Sequence, residues 1–105
     1  MNKTEPRNGI SPSGLADFAL AAHLRNASQG NLQAFGSFYD GTCATAYGLA
    51  LHLAGNESDA EDVVLDAYAS MWRHAGAYRP AVCSPMVWVT AFVGARALTL
   101  SHGAP

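Results

Sequence analysis

Charge is scarce in this sequence. Of 105 residues only 13% are Asp, Glu, Lys or Arg, while 50% are apolar. That balance excludes a disordered chain and predicts a folded one, large enough for a single small domain. Cations are scarcer than anions: 6 Lys and Arg face 8 Asp and Glu, for a formal net charge of −2. Such a surface exerts no general pull on phosphate backbones, so nucleic-acid binding would need a local patch. The 2 cysteines, Cys43 and Cys83, match no metal spacing and read as small buried hydrophobes rather than as a disulfide. His23, His52, His74 and His102 share no metal-ligand spacing either. No nucleophile–base pair, Gly-rich phosphate loop or carboxylate dyad can be assembled, so neither an enzyme nor a cofactor is expected. Long apolar runs are also missing. The longest, Pro85–Leu100, is interrupted by Gly94 and Arg96 and is too short for a membrane span. Met1–Ser13 is polar, with no signal peptide. These absences lead us to expect a soluble, cytoplasmic protein with no membrane partner.

What is present is centred on Ser58–Arg73. Ser58 followed by Glu61 has the form of a capping box, in which each side chain satisfies a free N–H of the first turn. Asp59, Glu61 and Asp62 add negative charge at the positive end of the helix dipole. Val63, Val64, Ala67, Tyr68, Met71 and Trp72 then recur at helical spacing and predict one packing face. Asp62, Asp66, Ser70 and Arg73 fall on the opposite, wet face.

The remaining segments supply what this helix packs against. Residues 1–14 have a tail-like composition. Leu15, Phe18, Ala19, Ala22 and Leu24 predict a first helix that stops near Ser28-Gln29-Gly30. Asn31 is placed to cap a second helix, with Phe35, Phe38, Tyr39, Ala46, Tyr47, Leu49, Ala50 and Leu53 inward. Gly41 predicts a kink or break at its middle, and Gly55-Asn56 ends it. Gly76–Cys83 forms a loop. Ser84-Pro85 opens a last helix to about Leu100, carrying Met86, Trp88, Val89, Phe92, Val93, Leu98 and Leu100. Ser101–Pro105 reads as a second short tail. With no alternating strand pattern and no repeat, the expected fold is all-α, a small bundle of four to five helices over residues 15–100.

The order of these features resembles region 2 of the extracytoplasmic-function (ECF) sigma factors, small members of the sigma-70 family. The features are Gly30-Asn-Leu-Gln-Ala-Phe35, Phe38-Tyr39, Tyr47-Gly-Leu-Ala-Leu51 and Ala54–Asp62, then Tyr68, Trp72-Arg73, Tyr78-Arg-Pro80, Ser84-Pro85, Trp88 and Arg96-Ala-Leu98. The resemblance implies a transcription-initiation domain that binds RNA polymerase core and contributes to recognition and melting of the promoter −10 element. By that resemblance, Asp59, Glu61, Asp62, Asp66 and Arg73 would meet the clamp helices of the largest polymerase subunit. Tyr78, Arg79, Ser84, Trp88 and Arg96 would meet −10 DNA. Trp88 has two readings, a base-stacking surface or a core residue of an apolar helix. Arg96 also has two, a phosphate contact or a snorkelling side chain.

The sequence departs from the family in the last helix. Gly94-Ala95-Arg96 stands where Arg-Asn-Arg is usual, Thr99 where Asp is usual, and Ser-His-Gly-Ala-Pro where a basic run follows. In the preceding helix, Leu65 replaces a Gln. Lost phosphate-contacting groups weaken salt-dependent DNA affinity. A second expectation therefore stands beside the first: a degenerate sigma-like interaction module that binds polymerase or an anti-sigma factor without reading DNA.

Overall fold

The structure is a computed structural model that describes the backbone of residues 12–103 and the side chains of residues 14–100. It contains four α-helices: α1 (Pro12–Ala27), α2 (Leu32–Ala54), α3 (Glu57–Arg73) and α4 (Pro85–Gly103), with a 3₁₀ turn at Ala75–Ala77. The all-α bundle expected from the pattern is what forms. α2 lies at its centre and packs against each of the other three helices.

The packing surfaces follow from residue spacing. Phe38, Thr42, Ala46 and Ala50 make one buried stripe along α2. Ala60, Val63, Val64, Ala67, Tyr68 and Met71 make another along α3, and Val89, Val93 and Ala97 continue the core on α4. Alanines in these stripes let the helices approach closely, while Phe38, Leu24 and Met71 fill the space between them. Thr42 is buried and polar. Its hydroxyl donates to the Phe38 carbonyl at 2.8 Å and meets the Tyr68 hydroxyl at 2.5 Å. The single hydroxyl proton of Thr42 is committed to Phe38, so Tyr68 is the donor between them.

Helix ends behave as the local chemistry demands. Asn31 Oδ1 accepts from the Ala34 N–H at 2.9 Å and starts α2. Gly55, at φ 87°, ends it with its N–H on the Leu51 carbonyl at 2.9 Å, a left-handed position that favours glycine. Ser84 Oγ accepts from Val87 N–H at 3.2 Å and starts α4.

Five local expectations are corrected. α2 runs unbroken through Gly41, and Leu20 of α1 packs into the space a side chain there would need: an added Cβ would sit 3.0 Å from Leu20 Cδ2. On α1 the buried stripe is Leu20, Leu24 and Ala27, whereas Leu15 and Phe18 are 56% and 69% exposed. An apolar-rich helix offers more than one stripe, and packing against α2 selects between them. Leu53 and Tyr39, both expected inward on α2, are likewise exposed. α1 begins at Pro12, ahead of Leu15, and α4 continues beyond Leu100 to Gly103. The remainder of the two expected tails, residues 1–11 and 104–105, lies outside the described residues.

Candidate functional site: the outer face of α3 and the loop into α4

The start of α3 sets which carboxylates are available. Asn56, in extended backbone at φ −153° and ψ 159°, is the capping residue. Its Oδ1 accepts from the Asp59 N–H at 2.9 Å, and its Nδ2 donates to Asp59 Oδ2 at 2.9 Å. The expected Ser58–Glu61 box is thereby replaced: the same spacing two residues earlier takes the cap, and Ser58 lies inside the first turn. Asp59 is held by the cap, while Glu61, freed from it, is exposed on the outer face beside exposed Asp62.

Further along, Asp66 accepts an ion pair from Arg96 Nη2 across the α3–α4 junction at 2.8 Å, with side chains 52% and 41% exposed. Arg73 is exposed in the last turn, where a cation complements the helix dipole. Of the five α3 residues named from the sequence, Glu61, Asp62 and Arg73 have neither an ion pair nor a side-chain hydrogen bond among the described residues. Glu61 also acts on α2, together with Glu57. Burial, and then repulsion from Glu57 and Glu61, raises the Tyr47 phenol above its ordinary value. Tyr39, Cys43, Ala44, Tyr47, Val64 and Leu65 line a groove of about 390 Å³ beside Glu61. Cys43 and Cys83 are both half-buried free thiols.

The loop and α4 candidates are arranged differently. Tyr78 is buried, its hydroxyl donating to the Cys83 carbonyl at 2.8 Å. Burial, with smaller contributions from Cys83 and Asp17, raises its pKa. Trp88 is half-buried, with ring centroids 5.5 Å from Tyr78, 6.5 Å from Phe38 and 4.8 Å from Phe92. These two aromatics brace the loop against α2 and α4. Ser84 is occupied as the α4 cap. Arg79 is exposed, with Nη1 donating to the Gly76 carbonyl at 3.2 Å. Arg96, the last candidate, is the cation held by Asp66. The structure thus brings Tyr78 and Trp88 together, and joins Arg96 to the acidic helix rather than to Arg79.

Sequence reasoning missed Asn56 as a cap, the Tyr39–Tyr47–Leu65 groove and the Asp66–Arg96 pair. An Asx residue three positions before Asp59 was a signal for the first; the other two depend on packing between helices. No described helix is long and apolar enough to cross a membrane.

Residues 43–99 match the family model described as sigma-70 region 2. Over 83 residues, 79% of its length, the chain is 36% identical to the ECF RNA polymerase sigma factor SigK of Mycolicibacterium vanbaalenii, covering 38% of that protein. It is 33% identical to SigK of Mycobacterium ulcerans over 83% of this chain and 46% of the relative. For SigK of Mycobacterium tuberculosis H37Ra the values are 29%, 75% and 42%. The chain therefore spans less than half the length of these curated relatives. No solved structure gives a significant match.

Proposed function

The chain belongs to the sigma-70 family, whose region 2 it carries, and on that basis we propose that it is an ECF-type region 2 domain that binds core RNA polymerase through the outer face of α3. The observation that carries this reading is the exposed Glu61–Asp62 pair, unpaired among the described residues, on a helix fixed by the Asn56 cap and a buried inner stripe. Fixed carboxylates of this kind steer a basic partner surface and set its orientation. Because the helix is already ordered, little conformational entropy is lost on docking. The partner is the pair of clamp helices of the largest polymerase subunit. Asp59 and Arg73 flank the contact, and Asp66 joins it when Arg96 does not hold it. The domain acts by binding, without a cofactor.

In the same reading, the loop and α4 contribute to recognition and melting of the −10 element. Arg79 supplies a surface cation, and Tyr78, Ser84 and Trp88 hold the loop in shape. Arg96 adds a second cation when Asp66 does not hold it.

A second reading is favoured by the ion pair itself. With Arg96 neutralised by Asp66 and the Tyr78 hydroxyl spent on Cys83, the domain acts as a sigma-like module that occupies polymerase or an anti-sigma factor without reading DNA. Retention of the chain on immobilised core polymerase tests the docking on which the first reading rests; no retention removes the first reading and leaves the second only its anti-sigma partner. Binding of a single-stranded −10 oligonucleotide by the chain on core, across a salt series, then separates them. Salt-sensitive binding supports the first reading, and retention on core without oligonucleotide binding supports the second.

A further inference from the structure

We propose that the Asp66–Arg96 ion pair is a latch that couples the two surfaces of the domain, so that docking of the α3 face releases Arg96 for nucleic acid and nucleic acid on Arg96 releases Asp66 for docking. This rests on the polymerase-binding reading above and goes beyond it. Asp66 belongs to the α3 outer face; Arg96 is the sole Lys or Arg in α4. At 2.8 Å the two charges neutralise each other across the helix junction. They sit in a cleft of about 510 Å³ whose walls include Ala69 and Ala95, with Arg73 and Thr99 also lining it. These short side chains leave the guanidinium room to swing away without repacking the core.

The pair is also weak enough to be opened by a competitor. With both side chains about half exposed, solvent and salt screen it, and such pairs hold each other by about two- to fivefold. A basic group of the docking partner competes with Arg96 for the same carboxylate. Arg96 then loses its counter-charge and gains affinity for a phosphate. Linkage requires the converse: a phosphate on Arg96 returns Asp66 to the docking face with the same coupling factor.

A double-mutant cycle on the full chain tests the latch, using wild type, Asp66→Asn, Arg96→Gln and the double variant, each checked for helical content. The readout is binding of a fluorescein-labelled single-stranded oligonucleotide at low salt. The latch predicts that Asp66→Asn tightens binding by about two- to fivefold in the wild-type background and by nothing in the Arg96→Gln background. It also predicts that Asp66→Asn steepens the salt dependence by about 0.7 in log–log slope, one further phosphate contact on a single strand. An equal gain in both backgrounds would mean plain removal of a like charge and would overturn the latch. No gain, or no oligonucleotide binding by any variant, would overturn it as well. Retention on core polymerase, measured separately, reports whether the underlying docking reading stands.

Discussion

The Tyr68 hydroxyl of α3 donates a hydrogen bond to Thr42 of α2, whose own hydroxyl donates to the carbonyl of Phe38, so a buried chain of hydrogen bonds joins α3 to the central helix. It holds α3 at a fixed height and rotation on the bundle, and its protonation state is tied to folding.

Burial raises the Tyr68 phenol from its ordinary 10.0 to about 12, by more than the Thr42 hydrogen bond lowers it. The unfolded chain releases this proton near pH 10. The folded chain therefore keeps a proton that the unfolded chain loses: the stabilisation is complete below pH 10 and disappears as pH rises towards 12. Tyr47 and Tyr78 are raised too and act with the same sign. Denaturation midpoints should fall steadily above pH 10. Tyr68→Phe should flatten that fall while costing about 1 kcal/mol at neutral pH, since Thr42 remains bonded to Phe38.

The start of α3 makes a second distinction. Asn56→Ala should cost about 1 kcal/mol, because the Asp59 N–H loses its acceptor. Ser58→Ala should stay within about 0.5 kcal/mol, as the serine is exposed inside the first turn. Urea midpoints of the two variants check the assignment; the reverse order would return the cap to Ser58.

The glycines of α2 differ in the same way. Gly48 has no atom within 4 Å of an added Cβ, so Gly48→Ala should stabilise by about 0.5–1 kcal/mol through helix propensity alone. Gly41→Ala meets Leu20 at 3.0 Å and should gain less, the difference appearing as a lower thermal midpoint than that of Gly48→Ala.

Trp88 supports the loop as much as any ligand. Trp88→Ala should destabilise the free domain by about 2 kcal/mol, less than a fully buried aromatic because the ring is half-buried. Calorimetry of the chain without nucleic acid is the check. An unchanged midpoint would make the ring a binding surface and nothing more.

Much of this architecture was legible in the residues. Helical spacing from Val63 to Trp72, the Asn31 and Ser84 caps and the Gly55 terminator each rest on contacts within a turn or two, and each appears where local chemistry predicts. The family was legible from the order of features along the chain. What could not be read depends on other helices. Gly41 looked like a breaker because its missing side chain is explained only by Leu20 on α1. Ser58 looked like the cap because Glu61 completes its box, and Asn56 looked only like part of the end of α2; which of the two takes the first-turn N–H depends on where the chain enters α3. Arg96 looked like a phosphate contact or a snorkelling cation because Asp66 meets it only once α3 and α4 are packed.

The proposed grip of the outer face of α3 on core polymerase is tested by the affinity of the full chain for immobilised core after Glu61→Lys with Asp62→Lys. Both side chains are exposed and neither caps the helix, so helical content should be retained. Binding should weaken by about tenfold or more at low salt, with the difference shrinking as salt is raised. Affinity equal to that of the wild-type chain would contradict it.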